Sequence, residues 1–307
     1  MFCGSCMHDN TWARALQEIG ADVTLVPTYT PIRLDEENVS TSQVFLGGIN
    51  VYLQHRWKMW RRLPRFMTRW LDAPRVIDWA TGFGVSNDAK QLGDLTLSML
   101  EGEVGSQQSD VDEFTDFIAH KIKPDVVCFS NALLVGTLKR LKQKYSGLVT
   151  CTLQGDDIFL EGLLEPYRSR AIELISNLAG DFDAFLVHSR YYREFMSDYL
   201  KLPAERFEEI PLGIDLQGHD GEPEARSNPQ FTVGYFARVC PEKGLHELVK
   251  AFRIFHQKNP DTRLRVGGYL GKSHRDYFKK LQRDVNDLGE AFEYVGSPES
   301  RDEKVAF

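Results

Sequence analysis

Short apolar runs alternate with amphipathic segments along most of the chain. Runs such as DVVCFS, LVTCTLQ and AFLVHS are rich in β-branched and aromatic residues, which predicts buried strands. The segments between them repeat apolar residues every three or four positions, which predicts helices with one buried face. Strands that alternate with helices are typical of a parallel sheet, and the continuous apolar runs indicate a sheet buried on both faces.

The same pattern reaches towards both ends of the chain. Near the start, a helix capped by Asp9 or Asn10 and ended by Gly20 precedes the predicted strand ADVTLVP. Near the end, FTVGYFAR, TRLRVGG and AFEYVGS are predicted strands separated by helices. Residues 30–110 depart from the pattern. Only VFLGGINVYL suggests a strand pair, or a strand followed by a turn, there. The stretch is too long for a simple connection, so we expect it to have helices of its own.

A polar stretch rich in glycine and proline, LQGHDGEPEARSNPQ, interrupts the alternation and is the best linker in the chain. A chain of 307 residues is long enough for two domains with separate cores. We therefore predict an α/β protein of two Rossmann-like domains, which comprise residues 1–215 and 216–307.

Composition and charge narrow the class of protein. The chain has 42% hydrophobic and 26% charged residues, as in ordinary soluble proteins, and its net charge of −7 argues against nucleic acid as the main partner. Its five cysteines are mostly isolated, which is typical of a reducing compartment. No apolar run approaches the length of a membrane span. These features predict a cytoplasmic protein, with contact at the inner face of the membrane left open.

Arg238 and Lys243 flank a predicted strand end and the start of the following helix, in YFARVCPEKGLHELV. Ligands of open parallel sheets bind at this edge, and a helix N-terminus offers free N–H groups to an anion. With Gly244 at the turn, the pattern favours a diphosphate site. The alternative is a surface turn with two solvated charges.

Two other strand ends carry weaker signals. In TLQGDDIFL, Gln154 ends a strand and Asp156 and Asp157 follow, so Gln154 and Asp156 are candidate site residues, although either carboxylate could simply cap the next turn. In IPLGID, Gly213 allows a close backbone approach, although a plain turn at the domain boundary explains it equally well.

The opening CGSC resembles a redox or zinc motif, but no strand precedes it and no partner ligands follow at a suitable spacing. We interpret Gly4 and Ser5 instead as part of a loop before the first helix that contacts an anion or a sugar. GGYLGKS is one residue too short for a P-loop, and TGFGVSN lacks the third glycine of the dinucleotide fingerprint.

The segment from His55 to Trp70 has six Lys or Arg residues, three Trp residues and no acidic residue. Two interpretations stay open. The segment is either an amphipathic element whose aromatic side chains pack on the domain, or an interfacial segment that contacts an anionic membrane.

Together, these stretches resemble the retaining glycosyltransferases of family 4 (group 1), which have the GT-B fold. The matching residues are IPLGID, then GYFARVCPEKGLHELVKAF with its Arg-x4-Lys spacing, and MFCGSCMHDNTWARALQEIGADVTLVPTYTP at the start. The resemblance is most specific at 231–255 and weakest at 40–110.

The resemblance implies transfer of a sugar from a nucleotide-diphosphate sugar to a carbohydrate or lipid-linked acceptor, with retention of configuration. Arg238 and Lys243 would bind the donor diphosphate, while Gly4, Gly213 and Asp215 would line the cleft. The resemblance implies no cofactor and no divalent metal, because protein cations would stabilise the leaving group.

Three departures from the family pattern stand out. Gln154 occupies the position where many members have a histidine, and glutamine does not titrate. The family's first strand and its E-x7-E motif are both missing from the sequence. We therefore expect a chain incomplete at both ends, with the second domain truncated, that is marginally stable and has little activity. Full turnover of a nucleotide sugar by a soluble monomer would contradict this expectation.

Two alternatives remain open. One is a degenerate, non-catalytic module that keeps the anion site at Arg238 and Lys243 and docks a partner. The other is an unrelated Rossmann-like enzyme such as a nucleotide-sugar epimerase, which the missing dinucleotide fingerprint disfavours.

Overall fold

The computed structural model describes residues 4–32, 34, 36–57, 59–60, 63, 65–68, 71, 76, 89–219, 230–298 and 300–307. The chain divides into two compact units. The larger comprises Gly4–Ile32 and Asn38–Ile214, and the smaller comprises 33–37 and Asp215–Phe307. Each unit has its own parallel sheet and its own hydrophobic core.

The larger unit contains a four-stranded parallel sheet. Its strands follow chain order: β1 (Val126–Phe129), β2 (Leu148–Thr152), β3 (Ala184–Val187) and β4 (Phe207–Glu209). Each strand pairs in parallel with the next. The strands predicted from DVVCFS, LVTCTLQ and AFLVHS are confirmed.

Helices surround and connect these strands. They are α1 (Gly4–Glu18), α2 (Gly48–Arg56), α3 (Arg65–Thr68), α4 (Ala89–Leu100), α5 (Gln108–Asp116), α6 (Leu138–Lys144), α7 (Asp156–Glu161), α8 (Tyr167–Leu178) and α9 (Arg190–Leu200). A π-helical turn, Phe117–Ile122, follows α5, and short 3₁₀ segments occur at Gly102–Val104, Ala132–Thr137, Ala179–Asp181 and Ala204–Arg206.

The core lies on one face of the sheet of the larger unit. Val127, Val149 and Phe185 on that face are buried, whereas Val126 and Leu148 on the other face are exposed. Our prediction of a sheet buried on both faces is therefore wrong at the start of these strands, although Thr152, on the same face as Leu148, is buried. The reason is topological: the strands follow each other in one direction, and right-handed crossovers then place every connecting helix on the same side.

Two further predictions in the larger unit are wrong. Within the described residues, ADVTLVP forms one isolated parallel bridge, Leu25 with Ser40, and the following Thr28 forms another with Phe45. The run therefore lacks the continuous partner that a strand requires. VFLGGINVYL does not form a strand pair, because its second half is helix α2. Helical spacing places Val51 in the core and lets Gln54 Nε2 donate to Asp110 Oδ2 at 2.5 Å.

The smaller unit contains a three-stranded parallel sheet in chain order. Its elements are β5 (Phe231–Phe236), α10 (Leu245–Lys258), β6 (Thr262–Gly267), α11 (Arg275–Asp284), β7 (Phe292–Gly296) and α12 (Arg301–Ala306), with 3₁₀ segments at Pro241–Lys243, Lys272–His274 and Asn286–Ala291. The three strands predicted there are confirmed. Val249 and Phe252 of α10 pack with Leu264 and Val266 of β6 in the core.

Residues 220–229 of the predicted linker and the motif TGFGVSN at 81–87 lie outside the described residues. No helix in the part of the chain that the structure describes is long and apolar enough to cross a membrane.

One glycine sets the geometry at the carboxyl end of β6. Gly268 has a φ of +130°, and its N–H donates to Gly296 O at 2.7 Å. A Cβ atom at this position would lie 1.9 Å from Ala237 O, a backbone atom of the loop after β5. Only glycine therefore allows the loops after β5 and β6 to approach so closely.

We expect Gly268→Ala to lower the free energy of unfolding by about 2 kcal/mol or more, because it combines a positive φ with a backbone clash. Urea unfolding followed by circular dichroism measures the change. Gly271→Ala is the matched control, since its Cβ would meet neighbours no closer than 3.5 Å. Equal stability of the two variants would contradict this assignment.

Candidate functional site

The predicted strand, turn and helix around Arg238 and Lys243 are present. Strand β5 ends at Phe236, a 3₁₀ turn spans Pro241–Lys243, and α10 begins at Leu245. Gly244 joins turn and helix with a φ of +70°, a conformation that favours glycine. Arg238 and Lys243 thus lie at the carboxyl edge of the small sheet, where ligands of open α/β sheets bind.

The backbone of this turn is held in place. The hydroxyl of Tyr235 lies 3.2 Å from Lys243 O and 3.4 Å from Arg238 O, and its one proton can serve either carbonyl. Burial raises the pKa of Tyr235 to about 12, so the hydroxyl remains a donor at neutral pH. Val239 N donates to Tyr269 O at 2.9 Å, which fastens the turn to the loop after β6.

The two side chains, by contrast, are exposed. Among the described residues, neither Arg238 nor Lys243 has a carboxylate within ion-pair distance. Burial opposes ionisation of nearby Glu242, but hydrogen bonds from its own N–H and from Cys240 lower its pKa, with smaller contributions from His274 and Arg238. A rigid backbone that carries two cations free of ion pairs can bind an anion without first breaking a salt bridge.

The N-terminus of α10 offers less than the sequence suggested. His246 N donates to the hydroxyl of Tyr277 at 3.2 Å, so one N–H of the first turn already has an acceptor. The positive charge at this turn therefore comes mainly from the Arg238 and Lys243 side chains.

A second group of polar side chains lies at the carboxyl edge of the larger sheet. Gln154, which follows β2, donates through Nε2 to Ser130 O at 3.1 Å and to Asp9 Oδ1 at 3.0 Å. His8 lies 3.3 Å from the same Asp9 oxygen, and its ring meets the ring of His188 edge-on with centroids 4.6 Å apart. We call Asp9, His8, Gln154 and His188 the strand-end cluster.

Sequence reasoning missed His8 and His188. His188 directly follows β3, and its Nδ1 lies 2.9 Å from Ile210 O. Because a carbonyl oxygen only accepts, Nδ1 carries the proton. The position of His188 after a predicted strand was the available signal, whereas His8 reaches the cluster from α1, which no local pattern indicated.

Asp156, a candidate from the sequence, is buried and bonded to the backbone. Its Oδ1 accepts from Ala132 N at 2.7 Å and its Oδ2 accepts from Gln154 N at 3.1 Å. Burial raises the pKa of this carboxyl to about 6 despite these hydrogen bonds. Asp156 therefore positions the loop that carries Gln154, and its side chain is buried away from solvent.

The neighbouring carboxylate, Asp157, has a different hydrogen-bond partner. Asp157 Oδ1 accepts from the hydroxyl of Tyr192 at 2.6 Å, and that hydroxyl accepts from Gly155 N at 2.9 Å. Burial and this carboxylate both raise the pKa of Tyr192. The two adjacent aspartates thus serve two separate contacts, which together hold the loop after β2.

Gly4 and Ser5 do not form a loop before the first helix. Both belong to α1, which begins at Gly4, so the prediction of a start near Asn10 is wrong. The two candidate caps have other partners: Asn10 is buried and accepts from Val39 N at 3.0 Å, and Asp9 accepts from Gln154. Long-range hydrogen bonds have replaced the local capping role.

Asp215 and Gly213 differ in how tightly they are held. Asp215 Oδ2 lies 3.0 Å from Arg301 Nη1 of α12, and its Oδ1 accepts from Gln217 N at 2.9 Å. Gly213 is exposed, and in the described part of the chain a Cβ there would meet nothing within 4 Å. A close backbone approach at Gly213, which the sequence suggested, is therefore not observed.

Of the two opening cysteines, Cys6 lies in α1 and forms no disulfide within the described residues. Cys3 lies outside those residues. Within those residues, no three His, Cys, Asp or Glu side chains are grouped to hold an ion.

Known proteins resemble parts of this chain. No family model matches it. It is 28% identical over 134 residues to a GDP-mannose-dependent alpha-(1-6)-phosphatidylinositol monomannoside mannosyltransferase of Mycolicibacterium smegmatis, a match that covers 41% of this chain and 33% of that protein. It is 30% identical over 103 residues to the uncharacterized glycosyltransferase YqgM of Bacillus subtilis, across 34% of this chain and 27% of that protein. The matches therefore span about a third or less of each relative.

Solved structures resemble the chain over longer stretches. Sucrose-phosphate synthase from Thermosynechococcus elongatus matches with a TM-score of 0.60 and 14% identity, over 99% of this chain and 67% of that one. Anabaena Alr3699/HepE in complex with UDP matches with a TM-score of 0.51 and 18% identity, over 64% of this chain and 54% of that one. At these identities the likeness concerns the fold, and it confirms the predicted α/β class with parallel sheets of the GT-B type.

The buried carboxyl of Asp156 leads to a prediction about pH. Its pKa is higher in the folded chain than in the unfolded chain, so the folded state binds more protons between about pH 4 and 6, and stability from this group falls as pH rises through that window. We expect the unfolding free energy of the wild type, relative to Asp156→Asn, to fall by about 2 kcal/mol from pH 4 to pH 7.

Urea unfolding at several pH values measures this difference. Asp181→Asn, which removes an exposed carboxylate of the same unit, is the control. Its unfolding free energy should depend on pH as that of the wild type does. A constant difference between the wild type and Asp156→Asn would show that Asp156 ionises normally in the folded chain.

Proposed function

We propose that this protein is a glycosyltransferase that uses a nucleotide-diphosphate sugar, and that Arg238 and Lys243 bind the diphosphate of the donor. One observation carries the proposal: two exposed cations lie on a rigid turn at the carboxyl edge of a parallel sheet, directly before a helix. The named relatives, which are glycosyltransferases, support the same reaction class.

The chemistry that such a turn supplies is electrostatic. When the bond between the anomeric carbon and the donor diphosphate breaks, negative charge grows on the leaving oxygen, and two fixed cations stabilise it. We propose that the acceptor hydroxyl attacks from the same face, so that configuration is retained, and that its proton passes to the leaving diphosphate. The resemblance to retaining family 4 enzymes supports retention. No divalent metal enters the proposed reaction.

We assign the strand-end cluster to the acceptor. The two donor hydrogens of Gln154 Nε2 are occupied by Ser130 O and Asp9, which orients the amide oxygen for an incoming hydroxyl. His8 adds a ring nitrogen beside Asp9. Polar groups fixed at a sheet edge next to aromatic rings suit a carbohydrate, and we propose a free or lipid-linked carbohydrate as the acceptor.

The acceptor class bears on where the protein works. One relative is named for a phosphatidylinositol mannoside, a lipid-linked acceptor. By analogy, we propose that this protein acts in the cytoplasm and on acceptors at the inner face of the membrane.

We expect Arg238→Ala and Lys243→Ala each to weaken the binding of nucleoside diphosphates by roughly tenfold or more, because each removes a charge-assisted contact. Titration calorimetry with UDP and with GDP measures the affinity. Lys258→Ala is the control, since this exposed lysine ends the same helix at its far side.

Unchanged affinity in both variants would remove the diphosphate site. Binding without transfer from any nucleotide sugar would favour the non-catalytic module over the enzyme.

A further inference from the structure

A group of large apolar side chains is exposed on the segment after helix α2. Trp57, Met59, Leu63 and Met67 are 57%, 82%, 39% and 53% exposed, respectively. We call these four residues the Trp57–Met67 surface. Exposed apolar side chains that occur singly need no explanation, but four within eleven residues mark an interaction site.

This segment is tied to the unit that carries it. The buried side chain of Asn50, in α2, donates through Nδ2 to Thr68 O at 3.0 Å, and its Oδ1 lies 3.4 Å from Trp60 Nε1. Trp60 is thus held through its indole N–H, while the ring of Trp57 lies 6.5 Å from that of Trp60 and is exposed. These hydrogen bonds tie Trp60 and Thr68 to α2, while the four side chains of the Trp57–Met67 surface remain exposed.

The exposure decides between the two interpretations of the sequence for the described residues. If the aromatic and apolar side chains packed on the domain, Trp57 and Met59 would be buried, and they are not. The interfacial interpretation therefore accounts for the described part of the segment better.

The sequence shows that the segment around the Trp57–Met67 surface is positively charged. Six cations alternate with the apolar positions, and no acidic residue lies between His55 and Trp70; the cations are Arg56, Lys58, Arg61, Arg62, Arg65 and Arg69. Their side chains lie outside the described residues. The rest of the chain is acidic, since the whole has a net charge of −7. The segment therefore complements a partner that is both anionic and apolar.

We propose that the Trp57–Met67 surface binds an anionic lipid bilayer, with its apolar side chains in the interface and the neighbouring cations at the lipid phosphates. A bilayer is the occupant that these observations favour, because it offers negative charge and an apolar layer side by side. Nucleic acid would supply the charge without the apolar layer. The proposal does not depend on the proposed transferase activity.

The test is flotation of the full chain with lipid vesicles. We expect binding to vesicles of phosphatidylcholine mixed with phosphatidylglycerol, no binding to phosphatidylcholine alone, and weaker binding at high salt. The triple variant Trp57→Ser, Met59→Ser, Met67→Ser should lower the partition coefficient by roughly tenfold or more. The variant Lys58→Glu, Arg61→Glu, Arg62→Glu should abolish binding.

Matched controls come from other exposed positions. Ile254→Ser with Tyr191→Ser removes comparably exposed apolar side chains, and Lys279→Glu with Lys280→Glu and Arg283→Glu reverses a cationic helix face; both should bind like the wild type. Circular dichroism verifies that each variant folds.

Two results would overturn the proposal. One is the absence of binding to anionic vesicles at low salt. The other is wild-type binding by the triple serine variant, which would show adsorption through charge alone, without insertion of the apolar side chains.

Discussion

The direction in which parallel strands follow each other governs this structure. In both sheets the strands occur in chain order, without a reversal. Right-handed crossovers then place the connecting helices on one face and return every strand in the same orientation. One face of each sheet packs against its core, and the carboxyl ends of its strands lie at one edge of that sheet.

This edge explains where polar chemistry accumulates. Residues within two positions after a strand, such as Gln154, His188 and Arg238, lie at this edge because the backbone of the sheet ends there. Their surroundings then set them apart. Asp156 is buried and accepts hydrogen bonds from two backbone N–H groups. Arg238 and Lys243 instead extend into solvent from a turn whose backbone is held by the hydroxyl of Tyr235. The same strand-end position thus produces a buried positioning group in one unit and two exposed cations in the other.

The sequence predicted the local elements well where the pattern was self-contained. Strands β1 to β3, the three strands of the smaller sheet, the turn at Pro241–Lys243 and the helix after it follow from apolar patterning, a proline and a glycine. Prediction failed where a distant partner decided the outcome. Asn10 resembles a helix cap but accepts from Val39 N, and ADVTLVP resembles a strand but, in the described part of the chain, forms one isolated bridge at Leu25. His8 and Asp9 join the strand-end cluster from α1. Asp9 is 145 residues from its partner Gln154 along the chain, a separation that no local pattern can bridge.

By itself, the sequence therefore determined the α/β class, the identity of most strands and the spacing of Arg238 and Lys243, because these depend on contacts between near neighbours along the chain. Only the tertiary structure decided which sheet face is buried, whether Asp156 meets solvent, how Asp9, His8 and Gln154 come together, and that Trp57 and Met59 point outward. Each of these outcomes depends on burial and hydrogen bonds between elements far apart in the chain. The free energy of such contacts exceeds the intrinsic preference of a short segment for helix, strand or turn, so that preference could not indicate them.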